Sequence, residues 1–214
     1  MRRVFGLLLV SLCLLSLSAC FDYRGLEDQT IVSGIAVDWK DEAYTLTFEI
    51  VDVSSVENGQ FGSILLTTTG ETFAEALADA VKKLQREMYL GALRVVLLGR
   101  TFAEEVGLMP LAAPLLYDKH VRNSLLIVIA DEEEAGVLLA QEEEGRRLVS
   151  TALSEALGRR SHRGQVMVLH EIYNALVTGA GEITLPLVAG SEAEGIPFVL
   201  DGFVRFQDGR LQER

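Results

Sequence analysis

Hydrophobic and polar positions along this chain fall into distinct periods. Val4 to Leu17 is an almost unbroken apolar run, shorter than the ~20 residues a membrane-spanning helix requires. Further on, Tyr44, Leu46, Phe48 and Ile50 alternate with Thr45, Thr47 and Glu49. That two-residue period predicts a strand with one buried and one solvated face. Ile31 to Val37 predicts a strand before it, and the turn Asp38-Trp39-Lys40-Asp41 joins the two as an antiparallel hairpin. Ser54 to Gly62 reads as loop and Ser63 to Thr69 as a third strand.

A helical period follows. Phe73, Ala76, Leu77, Ala80, Val81, Leu84 and Met88 share one face, and Gly91 suits a left-handed helix end. Two similar phrases, Gly70-Glu71-Thr72-Phe73-Ala74-Glu75 and Gly99-Arg100-Thr101-Phe102-Ala103-Glu104, each follow a β-rich run. Thr72 with Glu75, and Thr101 with Glu104, fit a capping box, in which the hydroxyl takes an orphan amide and the glutamate reaches back. Leu93 to Leu98 and Val121 to Ala130 read as strands buried on both faces. Between them a helix over Thr101 to Tyr117 is expected to break near Gly107 and Pro110.

Asp131 is placed to cap a helix opening on Glu132-Glu133-Glu134, and Arg146 to Leu157 and Gln165 to Val177 are further amphipathic helices. Ile183 to Val188 reads as an edge strand because of Pro186. Phe198 to Phe206, then Asp208-Gly209, predicts a closing hairpin. The order implies an α/β fold: a mixed sheet of about five to seven strands with flanking helices, beginning with an antiparallel hairpin, and with right-handed crossovers.

The start of the chain carries the most specific signal. Arg2 and Arg3 precede the apolar run, and Leu17-Ser18-Ala19-Cys20 closes it with small residues before a cysteine. This is the form of an export leader ending in a lipobox, cleaved between Ala19 and Cys20, with Cys20 as the lipid-attachment site. The thiolate is the nucleophile that takes a thioether-linked diacylglycerol. Residues 1–19 are then the signal peptide, 20–30 a tether, 31–190 an α/β domain, and 191–214 a terminal hairpin that opens a truncated second domain. The mature part would hold 195 residues.

Composition narrows the function. A hydrophobic content of 49% suffices for a sizeable core. The chain's cysteines are Cys13 and Cys20, one in the leader and one at the anchor, which leaves none for a structural disulfide. Loss of Arg2 and Arg3 takes the net charge from −12 to −14. Such a surface repels phosphate backbones and anionic headgroups, so nucleic-acid binding is excluded and membrane residence falls to the lipid. Two acyl chains hold stably where one is marginal.

Candidate chemistry is sparse. His170-Glu171-Ile172-Tyr173-Asn174 approaches a zinc-protease helix, but Asn174 stands where the second histidine belongs. His120 and His162 show no ligand spacing. Gly179-Ala180-Gly181 follows a helix instead of a strand, so it reads as a turn. Glu132 to Glu134 and Glu142 to Glu144 lack the spacing of a calcium loop. The basic cluster Arg159-Arg160-Ser161-His162-Arg163 reads as an exposed loop. No catalytic residue, metal ligand or cofactor is assigned, and the expectation is a protein that is not an enzyme.

The order of segments resembles the Ger(x)C family, the C-subunit lipoproteins of bacterial spore germinant receptors. The similar phrases are Ser18-Ala19-Cys20-Phe21-Asp22-Tyr23-Arg24-Gly25-Leu26, then Ile31-Val32-Ser33-Gly34-Ile35-Ala36-Val37-Asp38. Gly70-Glu71-Thr72-Phe73-Ala74-Glu75-Ala76 and Tyr89-Leu90-Gly91-Ala92-Leu93-Arg94-Val95-Val96 follow, with Asp118, Arg122, Leu185-Pro186 and Gly202-Phe203-Val204-Arg205-Phe206 as later landmarks. Ala92 stands where the family commonly has histidine, so no role of that residue transfers. The likeness matches the N-terminal half of a typical member. It implies a non-catalytic subunit anchored by Cys20 on the outer leaflet of the spore inner membrane, working with A-type and B-type integral-membrane subunits in nutrient sensing. The alternative is a solute-binding lipoprotein that delivers a small nutrient to a transporter; a cell-envelope hydrolase ranks last.

Overall fold

The computed structural model describes residues 3, 4, 6, 29–57, 60–132, 134–141, 148–161, 166–179, 181–191 and 198–212. Among them a mixed nine-stranded sheet is sandwiched between two layers of helices. The strands are β1 (Gln29–Lys40), β2 (Ala43–Glu57), β3 (Gln60–Gly70), β4 (Glu87–Tyr89), β5 (Val95–Leu98), β6 (Leu126–Ala130), β7 (Ile183–Gly190), β8 (Phe198–Gln207) and β9 (Arg210–Leu211). Their spatial order is β3-β2-β1-β5-β6-β7-β8-β9, with β4 on the start of β1. β1, β5, β6 and β7 run parallel, while β2–β3 and β8–β9 add antiparallel borders.

Alternation along the central strands divides the core. Ile35, Val37, Val96, Leu98, Ile127 and Ile129 point to one face. There they meet α1 (Phe73–Leu84), α2 (Met109–Tyr117) and α5 (Leu169–Thr178) through Phe73, Ala76, Leu111, Leu115, Leu169 and Ile172. Ala36, Val95, Leu97 and Val128 point to the other face, against α3 (Gly136–Leu139) and α4 (Val149–Ser161) through Leu138, Leu139, Leu153 and Leu157. Side chains that stand on both faces of a parallel strand explain why β5 and β6 read as unbroken apolar runs.

The expected fold class holds, with nine strands instead of about five to seven and the first hairpin in place: Val37 lies opposite Leu46 and Ile35 opposite Phe48. Its turn is tighter than expected. β1 continues through Asp38 to Lys40, and Asp41 and Glu42 alone make the turn, both with positive φ. Residues 54–57 and 60–62 also prove to be strand, since Val56 pairs with Phe61 after a bulge that follows Asp52. Asp208 and Gly209, at φ 51° and 77°, form the closing hairpin's turn, the left-handed pair that such turns require.

Four local expectations are corrected. α1 ends at Gln85, in left-handed conformation with its N–H on Val81 O, well before Gly91; Met88 then runs as strand beside Thr30. The strand expected over Val121 to Ala130 shortens to β6, because Val121 and Leu125 close turns onto Asp118 O and Arg122 O. Thr101 is already helical at φ −57° and ψ −41° and caps nothing. Pro186 lies in an interior strand, but only Leu187 and Val188 of β7 pair with β6. The proline half of β7 therefore has no ladder partner on its β6 side, and the missing donor is tolerated.

Candidate functional site

Ala19 and Cys20 lie outside the described residues, as do His162, Arg163 and the glutamates 142–144. The remaining sequence candidates are dispersed. His170 sits at the start of α5, its Nδ1 3.2 Å from Asn123 O. Glu171 accepts the Val168 N–H at 3.0 Å and so secures its own helix end. His120 stacks edge-on to Tyr89 and lies 3.5 Å from Asp118. Gly179 closes α5 in left-handed conformation, as a plain turn requires. Asp131 does not cap a helix: its carboxylate pairs with Arg100. No described helix is long and apolar enough to cross a membrane.

Two acidic groups that periodicity placed in a turn and on a solvated face prove to be buried. Asp38, in β1, accepts the Ala135 N–H at 2.6 Å and the Gly136 N–H at 3.1 Å, and so caps α3 from 97 residues away. Burial pushes its pKa up to about 6, against the opposing pull of the two amides. Glu49, in β2, is fully buried. It accepts Val149 N–H at 2.7 Å, Ser150 N–H at 3.2 Å, Ser33 Oγ–H at 2.8 Å and the Ser150 hydroxyl. Desolvation raises its pKa too, partly countered by those donors. Gly34 allows this approach, since a Cβ there would stand 2.7 Å from Ser150 Cβ. A carboxylate at a helix's first turn meets orphan amides and the positive end of the dipole. Glu49 and Asp38 thus pin α3 and α4 to the sheet. No sequence signal marked them, because the partners are set by long-range pairing.

Two concavities among the described residues bear on function. The first, a cleft of about 950 Å³, lies between α5 and the β8–β9 hairpin and includes Met109, Leu176, Ile183, Phe203 and Arg205. Its wall is fastened where the Leu108 N–H meets Gly209 O at 2.8 Å.

The second, a groove of about 640 Å³, lies beside the start of β1. Its lining includes Ile31, Val51, Val53, Phe61 and Leu148, with Arg94 among the polar groups. We take it as the candidate functional surface, since it gathers exposed apolar side chains beside the start of β1.

Comparison with known proteins adds the context. The family model described as "Spore germination protein N-terminal domain" matches residues 22–189. Among curated proteins, the chain is similar to "Spore germination protein KC" of Bacillus subtilis (strain 168), 25% identical over 199 residues, covering 88% of this chain and 49% of that protein. It is also similar to "Spore germination protein B3" of the same organism, 24% identical over 169 residues, covering 77% of this chain and 45% of that protein. The chain thus spans about half the length of these relatives. No solved structure matches.

Proposed function

The chain belongs to the spore germination protein N-terminal domain family, and from that membership we propose that it is a non-catalytic subunit of a nutrient-germinant receptor. In this reading a diacylglycerol on Cys20 holds it at the outer leaflet of the spore inner membrane, where it works with A-type and B-type integral-membrane subunits. The observation that carries the reading is the family match over residues 22–189, which begins two positions after the cysteine of Leu17-Ser18-Ala19-Cys20. The charge supports the same view: a net −12 chain gains nothing from anionic headgroups, so an acyl anchor has a task to perform.

The test is a spore strain whose only copy carries Cys20→Ser. Export should continue, the protein should leave the membrane fraction, and the response to nutrient germinants should fall by at least tenfold while germination by non-nutrient triggers persists. Full membrane retention and an unchanged nutrient response would contradict the reading.

A further inference from the structure

We propose that the far end of the β2–β3 hairpin, through Val53, Val56 and Phe61, enters the interfacial layer of the lipid bilayer and fixes how the domain stands on the membrane. The inference rests on Cys20 being the lipid anchor. Three observations carry it.

The first is the patch. Val53, Val56 and Phe61 are 62%, 57% and 46% exposed. The bulge after Asp52 brings Val56 directly opposite Phe61, and directly opposed residues share a face. Ile31, Val51 and Leu148 continue the apolar surface into the groove behind them. The sequence between Val56 and Phe61, Glu57 to Gln60, is polar, and an exposed apolar patch bordered by polar residues is the arrangement of interfacial elements.

The second is position. Val32 pairs with Ile50 in antiparallel register, so the start of β1 and the far end of the hairpin lie at the same end of the sheet. Cys20 is nine residues before Gln29, a span of at most ~30 Å fully extended. The opposite end of β1, at Lys40, lies roughly 35 Å further along the strand. The end that carries the patch is therefore the end a lipid on Cys20 holds near the bilayer.

The third is charge. Asp52 stands directly before the patch, and its carboxylate accepts the Ser54 N–H at 2.9 Å and hydroxyl at 2.6 Å. These bonds hold its pKa below the usual range, so it remains ionised and confines insertion to the headgroup layer. The groove behind the patch carries both Arg94 and Glu155, so its lining adds no net charge.

The native chain contains its own control. Its single tryptophan, Trp39, is near the opposite end of β1. The lipidated full chain, purified from membranes, is reconstituted into vesicles of phosphatidylglycerol and phosphatidylethanolamine with brominated acyl chains. A second protein carries Trp39→Phe with Phe61→Trp, and a third carries Trp39→Phe with Val53→Trp in case position 61 does not accept the larger ring. Tryptophan at 61 or 53 should shift to the blue and lose emission about twofold on bromination, as an interfacial ring would, while native Trp39 stays unchanged. Co-sedimentation with vesicles while both introduced tryptophans remain unquenched would overturn the insertion and leave the anchor standing. That is the pattern expected if the patch is covered by a protein partner. Failure to sediment at all would overturn the anchor and the inference with it.

Discussion

Asp38 and Glu49 occupy neighbouring strands, and each places a carboxylate in the first turn of a helix on the same face of the sheet. A buried acid is expensive unless its oxygens are matched by donors. Here every oxygen of the two groups is met by backbone amides or hydroxyls. Desolvation still prevails at Asp38, whose pKa stands at about 6 against the ordinary 3.8. The folded chain thus binds this proton more tightly than the unfolded chain, so the contribution of Asp38 to stability grows as pH falls from about 6 towards 4. Asp38→Asn removes the titration. Urea unfolding of the full chain at a series of pH values should show wild type gaining about 2 to 3 kcal/mol relative to the variant between pH 7 and pH 4. Parallel pH profiles would show that Asp38 is not desolvated in this way.

Among the elements, two nearly identical phrases have different outcomes. Thr72, at φ −130° and ψ 158°, accepts the Glu75 N–H at 3.2 Å, while Glu75 reaches back to the Glu71 N–H at 3.1 Å. At the second phrase the helix begins earlier. Ala103 N–H bonds Gly99 O at 3.1 Å, so Gly99 stands at the cap and Thr101 falls inside the first turn. The strand-end bond from Gly99 N–H to Val37 O and the Arg100–Asp131 pair fix that start. Thr72→Ala should therefore cost about 1 kcal/mol, and Thr101→Ala less than about 0.5 kcal/mol, both read by chemical denaturation. Equal losses would contradict the assignment. The same contrast shows what periodicity can reveal. The alternation of Tyr44 to Ile50, the helical stripe through Phe73, Ala76 and Ala80, and Asp208-Gly209 all encode their structure locally. The edge role expected of Pro186, the cap expected of Asp131 and the solvated face expected of Glu49 depended on which distant segment packs alongside. No window of sequence contains that segment. The apolar groove was equally hidden, because Ile31, Phe61 and Leu148 meet only through strand pairing and the placement of α4.

For the whole molecule, a net charge of −12 and a family match confined to an N-terminal domain set the frame. In our account the acyl chains supply residence, the hairpin end supplies orientation, and the three-layer body carries the surfaces that meet partners. The cleft beside β8–β9 lies at the opposite edge of the sheet from the β2–β3 hairpin. The most direct test of a receptor-subunit role is affinity capture of the tagged full chain from detergent-solubilised spore inner membranes, with quantitation of what elutes. The account predicts that A-type and B-type subunits co-elute in constant proportion to it. A chain that elutes repeatedly without either of them, from membranes that contain both, would contradict the account.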